Sequence, residues 1–136
     1  IQASILRVKL KYLDSMNSRR SYLADLYNRS LDPNYIITQK IEADVESANH
    51  VFSIVCKSSR DGLMEHLKAL SIQTNVYYPK PLTKQIGYIN SFNESKDLIN
   101  AEVLSNSIIA LPFYPEIEDE KIIFISDSIN KYFESL

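Results

Sequence analysis

The groups able to do chemistry are few. The chain carries two imidazoles, His50 and His66, and one thiol, Cys56. His66 stands beside Glu65 with no second histidine three or four residues away, so the spacing of a helical metal motif is missing. His50 opens the apolar run HVFSIVCK and is expected to bond a neighbouring carbonyl. Cys56 sits inside that run, where a buried, inert thiol is expected. No G-x-S-x-G elbow places a nucleophilic serine. Glycine occurs only at Gly62 and Gly87, so there is no Gly-rich phosphate loop. Neither a catalytic residue nor a metal ligand set is expected in this chain.

Binding chemistry gathers instead in NVYYPKPLTKQ, Asn75 to Gln85. Tyr77 and Tyr78 leave a strand-like segment side by side, which places their rings on opposite faces, with at most one in the core. Pro79 and Pro81 fix the backbone and lower the entropy lost when a ligand is held. Lys80 and Lys84 add two ammonium groups suited to phosphate, at about 1.5–3 kcal/mol for each charged hydrogen bond. A stiff surface connection whose tyrosines pack is the alternative, and residue chemistry alone favours it.

The remaining chain has to position that loop. Residues Ile1 to about Leu31 contain no Pro or Gly and repeat Leu6, Leu10, Leu13, Leu23, Leu26 and Tyr27 at helical spacing. One long helix, or two broken near Ser15–Asn17, is expected. Its basic residues Arg7, Lys9, Lys11, Arg19, Arg20 and Arg29 read as a solvated face more than a binding stripe. Asp32-Pro33-Asn34 ends the helix. Tyr35–Ile41 is a short strand or connector, and Glu42–Asn49 a loop. His50–Lys57 is a strand, apolar enough on both faces to lie in a sheet covered on both sides. SSRD at Ser58–Asp61 resembles a capping box ahead of an amphipathic helix with Leu63, Met64, Leu67 and Leu70 on one stripe. Ile72–Tyr78 returns as a strand. A helix from about Lys96 to Ser107 and a strand at Ile108–Leu111 follow, and Pro112 stops that strand. The acidic PEIEDEK opens a last helix whose buried face holds Ile122, Ile125, Ile129 and Tyr132–Phe133. The expected class is a small α/β (α+β) sandwich, a few-stranded sheet with a long N-terminal helix and two or three further helices.

Bulk properties narrow the partners. With 136 residues the chain is one domain, 45% hydrophobic and 24% charged. A net charge of −2 argues against nucleic acid as the main partner, although paired tyrosines can stack bases. A single cysteine forms no internal disulfide and fits a reducing, cytoplasmic setting. No apolar run approaches the ~20 residues needed to span a bilayer, so no membrane partner is expected. The chain opens at Ile1 already inside a helical pattern, as expected of a piece of a longer protein.

Four blocks then resemble, in order, the C-terminal part of the DegT/StrS-type nucleotide-sugar aminotransferases. They are QASILRVKLKYLD with the later RR and LADLYN; HVFSIVCKSSRDGLMEHLKALSIQTNVYYP; PKPLTKQ; and LSNSIIALPFYPEIEDEKI. Three positions depart from the pattern: Tyr77 and Thr83 stand where the family has histidine, and Ser71 where glycine is typical. The resemblance implies that residues 1–136 are the small domain of a fold-type I aminotransferase, 1–31 an interdomain helix region and 35–136 an α/β sandwich. The large domain that holds pyridoxal 5'-phosphate would then be absent, and the isolated fragment inactive. Tyr77, Tyr78, Lys80 and Lys84 would face the nucleotide-sugar substrate, with glutamate as amino donor and a homodimer as the assembly. Rival expectations are a non-catalytic interaction domain of the same fold and a pyridoxal-phosphate-dependent sugar dehydratase.

Overall fold

The computed structural model describes residues 1–88 and 98–136. Its elements are α1 (Gln2–Leu10), α2 (Leu13–Ser30), β1 (Ile36–Thr38), β2 (Phe52–Cys56), α3 (Arg60–Ala69), a 3₁₀ turn (Leu82–Lys84), α4 (Ile99–Ser107), β3 (Ile108–Leu111) and α5 (Asp119–Glu134). The three strands form one antiparallel sheet in the order β1-β2-β3, with Ile54 of β2 opposite both Thr38 and Ile109. This is an α+β architecture, as expected from the sequence.

Alternation decides which face of the sheet is covered. Phe52, Ile54 and Cys56 of β2 are buried together with Ile36 of β1 and with Ile109 and Leu111 of β3. Against them pack Leu23, Ala24 and Tyr27 of α2, Leu63 and Leu67 of α3, and Ile122, Ile125, Ile129 and Phe133 of α5. The intervening Ser53 and Val55 are only half-buried. The expectation of a strand covered equally on both faces is therefore corrected: one face is sealed and the other partly open.

Tyr27 ties three elements together. Its ring stacks on Phe52 at 4.7 Å, and its hydroxyl donates to the Pro112 carbonyl at 2.9 Å. Burial pushes that phenol far above its ordinary range. Asn130 of α5 fastens the C-terminal end of α2. Its Nδ2 donates to the Ser30 carbonyl at 2.9 Å, and its Oδ1 accepts from the Asp32 amide at 3.0 Å.

Several local expectations are corrected. The N-terminal stretch is two helices, but the break falls at Lys11–Tyr12 rather than Ser15–Asn17. There the amides of Lys11 and Tyr12 bond the Val8 and Lys9 carbonyls three residues back, and Tyr12 leaves helical geometry. Helix α1 buries nothing, so the helically spaced Leu6 and Leu10 line an exposed surface. Ser59 does not cap α3 through its side chain, because its Oγ lies 2.7 Å from the Tyr132 hydroxyl instead. Leu70 is exposed, and α3 is sealed by Leu63 and Leu67 with the half-buried Met64 beside them. His50 lies ahead of β2, which begins at Phe52, and bonds no carbonyl among the described residues. The expected start of α4 near Lys96 lies outside the described residues.

The expected strand at Ile72–Tyr78 shrinks to one bridge. The Asn75 amide donates to the Ala110 carbonyl at 3.1 Å, and the Ala110 amide returns a bond to the Asn75 carbonyl at 2.8 Å. The partner explains the shortness. Strand β3 has four residues, follows directly on α4, and ends at Pro112, which has no amide to donate. Pro79 and Pro81 remove two further donors from the other side.

Candidate functional site

Building the site starts at the end of α3. Ser71 adopts left-handed geometry (φ 60°), and the Ile72 amide turns back to the Leu67 carbonyl at 2.9 Å. That closure is a Schellman-type helix end. It throws the chain across the edge of β3, where the Asn75 bridge anchors it. Val76 to Lys80 then run free of the ladder. The segment is gathered again by the 3₁₀ turn, in which the Lys84 amide donates to the Pro81 carbonyl at 2.9 Å. Gln85 Nε2 reaches the Lys80 carbonyl at 3.4 Å, closing the loop upon itself.

Tyr77 and Tyr78 ride on this anchored segment and are 56% and 80% exposed. Neither ring enters the core. The expectation that strand geometry sends them to opposite faces fails, because no strand extends that far. They do share one feature: both line a cavity of about 300 Å³ over the half-open face of the sheet, together with His50, Ser53 and Ile108. Tyr77 also lines a larger groove of about 750 Å³, walled by the Leu70–Asn75 connection, the exit of β3 through Tyr114, and the first turns of α5. Lys80 and Lys84 are exposed and line neither space. Lys84 is engaged in an ion pair with Glu102 of α4 at 2.7 Å.

The groove brings in residues that the sequence did not single out. Tyr114 follows β3, and Phe124 lies on the outward face of α5, beside Ile123. A signal existed: Ile123 and Phe124 are large apolar residues off the Ile122–Ile125–Ile129 stripe, placed where an amphipathic helix carries polar ones. The wall that presents Tyr114 is clamped by Arg19 of α2. Its guanidinium donates to the Pro115 carbonyl at 3.3 Å, to the Ile117 carbonyl at 2.8 Å and to Asp119 at 2.7 Å. The Tyr22 hydroxyl donates to the other oxygen of Asp119 at 2.7 Å. These two donors, the Tyr22 hydroxyl first and the Arg19 cation second, hold the Asp119 carboxyl below its ordinary range. The bond to Asp119 correspondingly raises the Tyr22 phenol.

The other chemically suggestive groups are structural. Cys56 is buried, and desolvation lifts its thiol to about 11, far from a reactive thiolate. His66 packs its ring against Tyr132 at 5.2 Å. Arg60 lies across the C-terminal end of α4, where Nη1 reaches the Ser105 and Ile108 carbonyls, and it pairs with Asp61. Arg60 of the sequence block's Arg-Asp pair therefore ties α3 to the end of α4. Among the described residues no three of His, Cys, Asp and Glu converge as a metal site, and no helix is long and apolar enough to cross a membrane.

The described residues thus define an α+β domain with an exposed tyrosine loop beside a cleft. Comparison with known proteins supplies the family. Residues 1–130 match the DegT/DnrJ/EryC1/StrS aminotransferase family, and the chain belongs to it. It is 31% identical over 135 residues to the dTDP-3-amino-3,4,6-trideoxy-alpha-D-glucose transaminase of Streptomyces venezuelae, covering 98% of this chain and 35% of that protein. It is 34% identical over 121 residues to the erythromycin biosynthesis sensory transduction protein EryC1 of Saccharopolyspora erythraea, covering 88% and 33%. Among solved structures, S. venezuelae DesV in complex with a ketimine intermediate superposes with a TM-score of 0.90 at 30% identity, over 98% of this chain and 36% of that one. The fold alone is shared with the E. coli GDP-4-keto-6-deoxy-D-mannose-3-dehydratase, with a TM-score of 0.76 at 20% identity over 88% and 32%. The chain thus spans about a third of the length of the curated relatives it matches. The family is one of pyridoxal-phosphate-dependent sugar aminotransferases, with a dehydratase as a structural neighbour.

Proposed function

We propose that this chain is the C-terminal small domain of an enzyme that transfers an amino group, with glutamate as donor, to a keto sugar carried on a nucleotide. Residues 1–31 form its interdomain helix region and residues 35–136 its sandwich. In the intact protein the domain acts as a lid, working within a cytoplasmic homodimer. Tyr77 and Tyr78 face the substrate, and Lys80 and Lys84 lie near its diphosphate. The relatives named as dTDP-sugar transaminases support this substrate class.

Pyridoxal phosphate, when bound, supplies the electron sink for amino transfer. The residues described here do not fit it. A lysine that carries the cofactor needs a desolvated pocket to keep its amine reactive. Every described lysine is exposed, and Lys84 and Lys121 are held in ion pairs with Glu102 and Glu118. The cofactor therefore belongs to the rest of the polypeptide, and this chain's residues bind and orient the substrate and exclude water.

The observation that carries the reading is the placement of the two phenols. They are exposed, beside a cavity, on a segment pinned one side by the Asn75 bridge and the other by the Pro81–Gln85 turn. In the full-length enzyme, Tyr78→Phe is expected to raise KM for the nucleotide sugar several-fold with cofactor loading unchanged. Unaltered kinetics would return the loop to a surface connection. The isolated chain mixed with pyridoxal phosphate is expected to show no visible absorption band that borohydride abolishes, and such a band would place the cofactor in this domain.

A further inference from the structure

We propose that the groove of about 750 Å³ beside the tyrosine loop receives the nucleobase of the substrate. The inference takes its ligand class from the reading of Tyr77 and Tyr78 as a substrate-facing lip. The volume falls within the roughly 300–1,000 Å³ usual for small-ligand sites.

Two kinds of surface line the groove. Tyr77, Tyr114 and Phe124 bring rings from three separate segments, and Tyr114 and Phe124 are 46% and 54% exposed. Flat apolar faces left open to solvent suit an aromatic heterocycle, because stacking covers both partners without fixing polar contacts. Along another wall stand Gln73 and Asn75. Each side-chain amide offers a donor pair and an acceptor, and neither is hydrogen-bonded within the described residues. Amides of this kind match the alternating donors and acceptors on a base edge. Asn75 presents its amide from a fixed point, since its backbone exchanges two bonds with Ala110.

Continuity with the lip completes the argument. Tyr77 lines the groove and also the smaller cavity that Tyr78 lines. A ligand whose base lies in the groove therefore meets the exposed phenols with its next group, as a nucleoside diphosphate does. A protein surface is the less suitable occupant. A stable protein contact covers about 800 Å² on each partner, whereas this groove is a concave space scaled to a small ligand.

The test is an NMR titration of this chain with thymidine, uridine, guanosine and inorganic pyrophosphate, each alone. At least one nucleoside is expected to shift the Asn75, Tyr114 and Phe124 resonances saturably, with Phe124→Ala and Asn75→Ala each weakening that binding at least fivefold. Both side chains are exposed, so the variants are expected to keep the wild-type circular dichroism. Pyrophosphate shifts at Tyr77 and Tyr78, with no nucleoside response in the groove, would overturn the base site and leave the lip reading standing. Nucleoside binding without a pyrophosphate response would support the base site and count against the lip. Silence from all four ligands overturns both. Groove shifts that grow with protein concentration alone would assign the surface to a second copy and overturn the proposal.

Discussion

The hydroxyl of Tyr132 meets Ser59 Oγ at 2.7 Å directly over Gly62, so α5 and the start of α3 touch through a position that has no side chain. A Cβ at Gly62 would collide with the Tyr132 oxygen and press on Ser59 Oγ. Two effects then compete. Glycine inside a helix costs about 0.5–1 kcal/mol relative to alanine. Displacing the tyrosine costs its hydrogen bond and about 1–3 kcal/mol of overpacking. Gly62→Ala is therefore expected to destabilise the wild type by about 1–2 kcal/mol. In a Tyr132→Phe background the same change is expected to stabilise by up to about 1 kcal/mol. A double-mutant cycle by urea unfolding reads the reversal of sign, and equal costs in both backgrounds would refute the contact.

Ser71 ends α3 at φ 60°, the left-handed region that side chains resist. A non-glycine residue there carries about 1 kcal/mol or more of backbone strain. Ser71→Gly removes the Cβ while the Ile72-to-Leu67 bond remains. It is expected to raise stability by about 1 kcal/mol, reduced somewhat by the added freedom of the unfolded chain. The midpoint of urea unfolding checks this. An unchanged or lowered midpoint would mean that the serine hydroxyl contributes more than its backbone costs.

Arg19 reaches two backbone carbonyls besides Asp119, so the two ends of that cluster are unequal. Arg19→Ala leaves both carbonyls without their donor and is expected to cost about 1–3 kcal/mol. Asp119→Asn keeps those bonds and is expected to cost less. The pH dependence follows from the depressed Asp119 carboxyl. Its folded value lies below the ordinary 3.8, so its stabilisation is complete above that value and is lost as pH falls through the folded one. The stability difference between wild type and Asp119→Asn is thus expected to shrink as pH drops below about 4. A difference that persists undiminished in acid would separate Asp119 from the cluster.

Helical hydrophobic periodicity made α2, α3 and α5 legible in the sequence, and β2 and β3 were legible as short apolar runs, the second ended by Pro112. The break between α1 and α2 was not legible: no proline, glycine or capping pattern marks Lys11–Tyr12. The pattern at Ser58–Asp61 was present, yet the Ser59 hydroxyl is taken by a residue 73 positions away, and local spacing carries no trace of that competitor. The same limit applies to the site. Pro79 and Pro81 made the loop readable as stiff, but residue chemistry favoured packed tyrosines, whereas Tyr77 and Tyr78 are exposed. The shortness of the preceding strand depends on β3, and the facing wall comes from Tyr114 and Phe124, both distant in the chain.

The ion pair between Lys84 and Glu102 places a competitor beside a lysine proposed to attend the substrate diphosphate. The pair measures 2.7 Å but stays half exposed, so its contribution to stability is expected to be under about 1 kcal/mol. Glu102→Gln should therefore leave unfolding nearly unchanged while releasing the Lys84 ammonium. If Lys84 serves a phosphate, inorganic pyrophosphate is expected to bind Glu102→Gln about threefold more tightly than wild type at low ionic strength, an advantage that 0.5 M salt removes by screening, with a Debye length of about 4 Å. Lys84→Met in the same background should cancel the gain. Identical pyrophosphate affinity in wild type and Glu102→Gln would take Lys84 out of the site and leave Lys80 as the cation nearest the phenols along the chain.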